Sequence, residues 1–362
     1  MTVRENVPLA PLTSLGVGGA ARFFIEARSP KEAEEAIAFA AAHELPLFVL
    51  GGGSNIVIAD RGWDGVVLVP KMADLAFETE GDSVTVTAGA GAVWDDLVAE
   101  SVRRGHVGIE CLSGIPGTVG GAVVANLGAY GAQVSDTFVS AKVFDREREG
   151  GMLRVFAKEE CGFSYHDSVL SHAPGRYVVL EATFTLRASG SSRLSYRDNR
   201  FDLNALAAQI GREPTQSEVR DAILRMRSEK GVLRTSYRSA GSFFHMPFVS
   251  PERYAAVLER ARALDAEKEE RLRPWAWQQP DGSYKIAGGF LLEYTEFRKG
   301  YVRGPVGISP KHTLAIINLG GARASDIAAL ARDMQEAVEG SFGIRLEREV
   351  EYVGDVEQSR QE

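Results

Sequence analysis

Three glycine-rich segments contain the residue types best suited to hold an anionic ligand. They are Gly51-Gly52-Gly53-Ser54-Asn55, the segment from Leu112 to Gly121, and Asn126-Leu127-Gly128-Ala129-Tyr130-Gly131. Backbone N–H groups approach an anion closely only where no Cβ intervenes, so such loops favour a ligand that carries phosphates. Tight-turn packing accounts for the same glycines equally well. None of these segments is a Walker P-loop or a Rossmann fingerprint. A fourth loop, Gly89 to Trp94, begins like the Rossmann fingerprint but lacks the last glycine of G-x-G-x-x-G.

Other side chains with chemical potential are ambiguous when each is considered alone. A lone serine such as Ser242 is commonly a turn residue whose hydroxyl bonds the backbone. Glu349 is one of three acidic residues that alternate with other residues along a predicted strand. Lys230 ends a predicted helix in surroundings that Arg225, Arg234 and Arg238 make basic. An isolated arginine is more often a solvated surface charge than a ligand contact.

The elements that must position these residues follow from capping and periodicity. The capping box Ser29-Pro30-Lys31-Glu32 predicts a helix that ends near His43, and a strand then leads into Gly51. Further expected elements are strands at 47–50, 56–58 and 83–87, a helix from about Trp94 to Gly105, a polar linker at 187–215, a helix at 217–230, a helix from about Ser325, and a strand at 344–353.

Composition narrows the class of protein. The chain has 362 residues, of which 44% are hydrophobic and 25% charged, and its net charge is -8. This balance predicts a globular protein of two or three domains and disfavours nucleic acid or an anionic membrane as main partner. Only Cys111 and Cys161 occur, so we expect reduced thiols in a cytoplasmic protein and no zinc site. The first residues lack the apolar run of a signal peptide.

The order of motifs along the chain resembles one family. Besides the glycine-rich segments, the matching motifs are Thr13 to Gly19, Cys161-Gly162-Phe163-Ser164-Tyr165, Ala240-Gly241-Ser242-Phe243-Phe244, Lys285 to Leu291, Lys311-His312-Thr313-Leu314 and Leu346-Glu347-Arg348-Glu349-Val350. Together they span nearly the whole chain and resemble the UDP-N-acetylenolpyruvoylglucosamine reductases (UDP-N-acetylmuramate dehydrogenases), flavoenzymes of peptidoglycan precursor synthesis. Each motif is weak alone, whereas their shared order is highly specific.

The resemblance implies an α+β fold with a vanillyl-alcohol-oxidase-type (PCMH-like) FAD-binding domain in two parts and a smaller α+β substrate-binding domain. We expect residues 1–70 together with 343–362 to form the first FAD-binding part, 71–215 the second, and 216–342 the substrate-binding domain. In the family the C-terminal strand returns to the flavin cleft, which assigns residues after about Gly343 to the first part.

The resemblance also implies FAD and NADPH as cofactors and an enolpyruvyl ether of a nucleotide sugar as substrate. NADPH reduces the flavin, and the reduced flavin passes hydride to the enol-ether carbon distal to the carboxylate. No metal, nucleic-acid or membrane partner is implied, and we expect a monomer. The expected FAD-binding residues are Gly51, Gly52, Gly53, Ser54, Asn55, Ser113, Gly114, Ile115, Pro116, Gly117, Thr118, Gly120, Gly121, Asn126, Gly128, Ala129, Tyr130 and Gly131.

Three residues are the implied catalytic groups. Ser242 matches the family serine that protonates an enolate-like intermediate, and Glu349 matches a glutamate that assists at the opposite end of the enol ether. A carboxyl group in a closed pocket can stay protonated and serve as a donor. His166 stands where the family has an arginine that stabilises the enolate. A neutral imidazole lacks arginine's permanent charge and bidentate fork, although it can still donate one hydrogen bond.

The expected substrate-binding residues are Tyr165, Lys230, His245 and Met246. Lys230 matches a lysine that contacts the nucleotide diphosphate, whereas His245-Met246 replaces the family's Lys-Asn. A methionine cannot make the polar contact of that asparagine. Because these departures fall on the substrate side, two alternatives stay open: a paralogue with the same flavin chemistry on another substrate in specialised metabolism, and a flavin-binding protein that has lost catalysis.

Overall fold

In the computed structural model of the chain, the structure is described for residues 1–147, 151–192, 203–233 and 236–357. Residues 193–202 of the predicted linker, Arg234, and the last five residues of the predicted first FAD-binding part lie outside this description. No helix within these ranges is both long and apolar enough to cross a membrane.

The described residues form strands and helices in mixed order. The strands are β1 Val3–Pro8, β2 Ala20–Ala27, β3 Leu47–Val49, β4 Ile56–Ile58, β5 Trp63–Pro70, β6 Leu75–Glu80, β7 Ser83–Gly89, β8 Gly128–Ala129, β9 Ala132–Gln133, β10 Phe138–Asp145, β11 Met152–Ala157, β12 Tyr177–Arg187, β13 Phe248–Val249, β14 Ala276–Gln278, β15 Tyr284–Ile286, β16 Val302–Arg303, β17 Val306–Ile308, β18 Ile316–Asn318 and β19 Glu351–Val353. The helices are α1 Pro30–Ala42, α2 Trp94–Arg103, α3 Val119–Val124, α4 Leu203–Ile210, α5 Gln216–Glu229, α6 Pro251–Leu264, α7 Ala266–Leu272, α8 Gly288–Leu292 and α9 Ala324–Phe342.

Local sequence signals set the ends of several helices. At α1 the Ser29 hydroxyl accepts the N–H of Glu32, and the Glu32 carboxylate accepts the N–H of Arg28. Helix α9 ends at Phe342 and is capped by Gly343, whose φ of +70° is the left-handed conformation that glycine adopts without a Cβ penalty. The predicted α1, α2, α5 and α9 are therefore confirmed to within one or two residues.

The chain divides into two compact units, and the first contains Met1–Val7, Ala20–Gly53 and Trp63–Arg227. It has a four-stranded sheet of order β1-β2-β5-β3, whose β2, β5 and β3 are parallel, and an antiparallel sheet of order β11-β10-β12-β7-β6. Helix α1 covers the first sheet with buried alanines and Ile37. The apolar face of α2, with Trp94, Leu97 and Val98, packs against the second sheet.

The second unit contains Pro8–Gly19, Ser54–Gly62 and Ser228–Glu362. Its sheets are small, with orders β13-β15-β14, β16-β17-β18 and β19-β4. The core forms around α9, whose Ile327, Leu330, Met334 and Val338 are fully buried, as their helical spacing predicts. The parallel pair of β19 and β4 joins the C-terminal segment to a strand near residue 57. The three-part domain division proposed from sequence stays a prediction.

The expected strand over 344–353 is wrong in its length, since only Glu351–Val353 forms a strand. The upstream residues pair with a different partner: the N–H of His245 donates to the carbonyl of Glu347, and the N–H of Glu349 donates to the carbonyl of Phe243. At Glu351 the chain changes partner, because the N–H of Glu351 donates to the carbonyl of Asn55 next to β4. Alternating hydrophobicity cannot reveal such a change of partner, because both stretches are extended.

Two early glycines allow the segment Thr13 to Gly19 to pack against β4. A Cβ on Gly18 would lie 2.8 Å from the Cβ of Ile58, and a Cβ on Gly19 would lie 2.4 Å from the carbonyl oxygen of Asp60. Asp60 in turn accepts the N–H groups of Ala324 and Ser325 at the start of α9. These glycines are therefore required for close packing in the second unit.

We expect Gly19→Ala to lower the free energy of unfolding by about 1–3 kcal/mol, because the added Cβ collides with backbone atoms that cannot move independently. Gly340→Ala is the matched control, since a Cβ there meets nothing within 4 Å and lies in α9. Alanine is favoured over glycine inside a helix by up to about 1 kcal/mol. Thermal and guanidinium unfolding of both variants measure the difference. Equal stability of the two would contradict this packing argument.

Candidate functional site

Two of the glycine-rich segments touch in the first unit. A Cβ on Gly52 would lie 2.5 Å from the Cα of Gly117, and a Cβ on Gly51 would lie 3.0 Å from the Thr118 hydroxyl. Within the described part of the chain, the N–H groups of Gly51, Gly52 and Gly53 have no protein acceptor. The result is a cradle of backbone donors that any larger residue would fill, and it fits the phosphates of a dinucleotide such as FAD.

The two glycines at the start of α3 have different surroundings. Thr118 caps this helix by accepting the N–H of Gly121 at 3.4 Å. A Cβ on Gly120 would lie 3.0 Å from the Cβ of Ala90, so Gly120 is a packing glycine. A Cβ on the exposed Gly121 would meet only the Thr118 hydroxyl, at 3.6 Å. Gly121 therefore leaves an open face beside the cradle.

A charged cluster that the sequence did not reveal fixes the peptide groups of Gly114. The Gly114 N–H donates to Asp95 at 2.6 Å, and its carbonyl accepts from Nε of Arg227 at 3.1 Å. Arg220 holds the same carboxylate through two bonds of 2.6 and 2.8 Å. Burial acts to raise the pKa of Asp95, but the bonds from Arg220 and Gly114 outweigh it and hold that pKa below its ordinary value. The carboxylate stays charged and clamps the loop.

The third glycine-rich segment is a tight hairpin whose polar side chain serves the protein itself. Tyr130 and Gly131 connect β8 to β9 with φ values of +54° and +79°, the conformation of a type I′ turn. Asn126 is 1% exposed, donates to the carbonyl of Ser164 and accepts the N–H of Ser135. The ring of Tyr130 is buried in a small core with Cys111, Val219, Ile223 and Met226. Asn126 and Tyr130 thus shape the hairpin.

Tyr165 and His166 occupy the middle of a tight turn in the first unit. Ser164 and Asp167 exchange both backbone hydrogen bonds around them, and His166 has a φ of +52°. A positive φ is uncommon outside glycine, although histidine adopts it more often than most residues, and such backbone conformations cluster at functional sites. Asn126 ties the turn to the hairpin through Ser164. Tyr165 is 40% exposed.

In the second unit, Phe243 joins the segments that carry Ser242 and Glu349. Its N–H donates to the carbonyl of Leu314 at 2.8 Å, and its carbonyl accepts the N–H of Glu349 at 3.0 Å. The Ser242 hydroxyl lies 3.4 Å from Nε2 of His312. The sequence placed His312 in a matching motif and assigned it no role. Only the folded loop shows that its ring reaches Ser242.

Glu349 lies in a partly buried and electrostatically unusual place. Burial raises its pKa to about 7, and the nearby Lys285 acts in the opposite direction. Burial likewise lowers the pKa of Lys285, although Glu349 opposes that shift. Nδ1 of His245 lies 3.8 Å from the Glu349 carboxylate. Glu349 is therefore poised to carry a proton near neutral pH, and the solvated acidic strand face considered from sequence is wrong for this residue.

The other predicted site residues are divided between the two units. Asn55 donates its side-chain N–H to the carbonyl of Glu349 at 3.0 Å, so it supports the glutamate. Lys230 is partly buried at the end of α5, and Met246 is partly buried after Phe244. Tyr165 and His166 belong to the first unit, whereas Ser242, Glu349, Lys230, His245 and Met246 belong to the second.

Comparison with known proteins identifies the class first. Residues 21–155 match the FAD binding domain family, and residues 233–353 match the C-terminal domain of UDP-N-acetylenolpyruvoylglucosamine reductase. A solvent-stable cholesterol oxidase shares the fold with a TM-score of 0.50 over 96% of this chain and 86% of its own, at 13% identity. The chain is an FAD-dependent oxidoreductase with the expected α+β, vanillyl-alcohol-oxidase-type fold.

Relatives along the whole chain then define the family. The UDP-N-acetylenolpyruvoylglucosamine reductase of Thermobifida fusca is 40% identical over 357 residues, covering 97% of this chain and 98% of its own length. The reductase of Nocardia farcinica is 41% identical over 361 residues, covering 98% and 90%. The crystal structure of the Thermus caldophilus enzyme superposes with a TM-score of 0.65 at 26% identity, covering 97% and 100%. This chain belongs to the UDP-N-acetylenolpyruvoylglucosamine reductase family, as the motifs predicted.

We expect Gly121→Ala to weaken FAD binding by about tenfold, equivalent to about 1.4 kcal/mol, without lowering the melting temperature of the apoprotein. The added methyl group meets no protein atom closer than 3.6 Å, so a loss of affinity would report a ligand on the open face. Gly120→Ala is the contrasting variant, because its methyl group meets Ala90 and should lower the melting temperature. Flavin fluorescence titration measures the affinity. Unchanged FAD affinity in Gly121→Ala would place the flavin elsewhere.

Proposed function

We propose that the chain reduces the enolpyruvyl ether of UDP-N-acetylenolpyruvoylglucosamine to UDP-N-acetylmuramate, with NADPH as the electron donor, in peptidoglycan precursor synthesis. The observation that carries this proposal is the pairing of an FAD binding domain with the reductase C-terminal domain in one chain. Full-length relatives with that name support this activity over a paralogue with another substrate and over a non-catalytic flavin-binding protein. We also propose a cytoplasmic monomer.

The cofactor would be held by the glycine cradle of the first unit. Bound FAD supplies the hydride that the enol ether receives. The open N–H groups of Gly51 to Gly53 would bind its phosphates, and the clamp of Asp95 and Arg227 on Gly114 would keep the opposing loop in place. Because Gly52 and Gly117 nearly touch, the cradle depends on glycine in both loops.

Ser242 would protonate the carbon next to the substrate carboxylate. After hydride arrives at the distal carbon, the electron pair lies on an enolate-like carbon that requires one proton. A hydroxyl group held by its neighbours supplies that proton without a large movement, and such general acids contribute about 10²–10⁴-fold in rate. Phe243, whose backbone is fixed on both sides, keeps Ser242 in position.

Glu349 would act in its protonated form as a donor at the opposite end of the enol ether. Its pKa of about 7 leaves a large share of the carboxyl groups protonated at neutral pH. Lys285 favours the charged form but does not overcome burial. A neutral carboxyl group avoids repulsion with the substrate carboxylate and still donates one hydrogen bond.

The other side chains would bind and orient the substrate. We assign His166 to hydrogen-bond the enolate oxygens, Lys230 to the diphosphate, and Tyr165, His245 and Met246 to substrate contacts. His245 has a second property that its family counterpart lysine would not share, because its ring lies beside the Glu349 carboxylate. An imidazole nitrogen can donate or accept a hydrogen bond, whereas the ammonium group of a lysine can only donate one.

Anaerobic reoxidation of the reduced flavin tests the proposed activity. We expect NADPH to bleach the flavin and UDP-N-acetylenolpyruvoylglucosamine to restore its colour, with Ser242→Ala slowing the second step by about 10²–10⁴-fold. Ser283→Ala is the control, since this serine lies in a surface turn and bonds Asp281. If the folded, FAD-loaded protein is bleached and the substrate does not reoxidise it, the proposed substrate is wrong.

The elevated pKa of Glu349 predicts how this reoxidation depends on pH. Because the donor is the protonated form, the rate should be high below about pH 7 and fall as the pH rises through that value. Glu349→Gln keeps a donor that does not titrate, so this decline should disappear. Glu347→Gln, two residues away and exposed, should keep it. A rate that rises through pH 7 in the parent protein would show that the carboxylate is the active form.

A further inference from the structure

We infer that His312 is a positioning residue for Ser242: it donates a hydrogen bond from Nε2 to the serine oxygen and thereby directs the serine proton away from the ring and toward the substrate. This inference rests on the proposed function, because it concerns the proton that Ser242 would deliver. It depends on three contacts within the second unit.

The first contact sets the tautomer of the ring. The N–H of Leu314 donates to Nδ1 of His312 at 3.1 Å. A backbone N–H can only donate, so Nδ1 must be the unprotonated nitrogen, and in the neutral ring the proton then lies on Nε2. The opposite tautomer would set two N–H groups against each other and deprive the amide of Leu314, a buried residue, of its acceptor.

The second contact follows from that tautomer. Nε2 lies 3.4 Å from the Ser242 hydroxyl oxygen, so Nε2–H is the donor and the oxygen is the acceptor. The serine's own hydrogen is then free to point elsewhere. This is the reverse of the serine–histidine arrangement in nucleophilic catalysis, where the ring nitrogen accepts the serine proton. The geometry therefore favours a serine that acts as an acid.

The third contact keeps the two side chains in register. Phe243 donates its N–H to the carbonyl of Leu314, so the residue after Ser242 is bonded to the residue that fixes the ring. The loop itself is closed by bonds from His312 to the carbonyl of Ser309 and from Ala315 to the carbonyl of His312. These backbone bonds hold the main-chain segments of Ser242 and His312 side by side.

The proton transfer balances with the ring unchanged. The Oγ–H bond of Ser242 breaks, a C–H bond forms at the enolate-like carbon, and the oxygen keeps the electron pair. Nε2–H of His312 then donates to a negatively charged oxygen, and such a bond is stronger than one to a neutral hydroxyl. Solvent returns one proton to the oxygen, and that proton is the one that the overall reduction consumes.

Nuclear magnetic resonance tests the tautomer without any catalysis. We would label the six histidines with ¹⁵N in the FAD-loaded protein and assign His312 by its loss in His312→Gln. We expect Nε2 to carry the proton and Nδ1 to have the shift of an unprotonated nitrogen. A proton on Nδ1 would overturn the inference, whether or not the proposed substrate proves correct.

Two variants separate the donor function of His312 from its structural bond. His312→Gln keeps a donor near the place of Nε2, and His312→Asn keeps an acceptor near the place of Nδ1 but loses the donor. We expect His312→Asn to slow substrate-dependent reoxidation of the flavin by about 10²-fold or more and to enlarge its solvent deuterium isotope effect. His312→Gln should stay within about tenfold of the parent protein.

Bleaching by NADPH is the internal reference, and the melting temperature and FAD content report the fold. If His312 served only to hold the loop through Leu314, His312→Asn would be the milder variant, and that order of effects would overturn the inference. If the parent protein is bleached by NADPH but not reoxidised by the enolpyruvyl ether, the proposed function fails instead. The resonances of His312 then still decide whether Ser242 accepts or donates.

Discussion

The backbone of Phe243 is the point on which the second unit's chemistry depends. Its N–H and carbonyl are bonded to Leu314 and Glu349, and its ring is fully buried in the core around α9. Three segments that are distant in sequence therefore meet at Phe243, and they carry the polar side chains of Ser242, His312 and Glu349. The ring cannot leave the core without creating a cavity, so the backbone of Phe243 is held in place. The backbone positions of Ser242 and Glu349 are held with it.

In the first unit, the positions of two loops depend on residues that have no side chain. Gly52 and Gly117 approach so closely that a Cβ on Gly52 would overlap the other loop, and within the described residues the N–H groups of Gly51 to Gly53 have no protein acceptor. The Asp95 carboxylate and its arginines then fix the peptide of Gly114 from behind. Loops that meet this closely tolerate few substitutions, because a Cβ on Gly52 would lie 2.5 Å from the Cα of Gly117.

The sequence predicted elements whose signals are local. The capping box at Ser29 and the spacing along α9 depend on residues three or four positions apart, and both were right. The strand expected at 344–353 failed because its pairing partner changes at Glu351, which no local pattern encodes. Asp95 with Arg220, and Ser242 with His312, are 125 and 70 residues apart, so only the fold brings them together. The glycine loops and Glu349 became candidates through their motifs, while the burial of Glu349 required the tertiary structure.

The bond from Asn55 to the carbonyl of Glu349 spans 294 positions of the chain. A ribosome must therefore release almost the entire polypeptide before the glutamate can reach its place. The first unit ends at Arg227, so all of its strands are available much earlier in synthesis. Closing so long a loop makes the last strand a late arrival in folding. A nascent chain would accordingly bring Gly52 and Gly117 together well before Glu349 could reach Asn55.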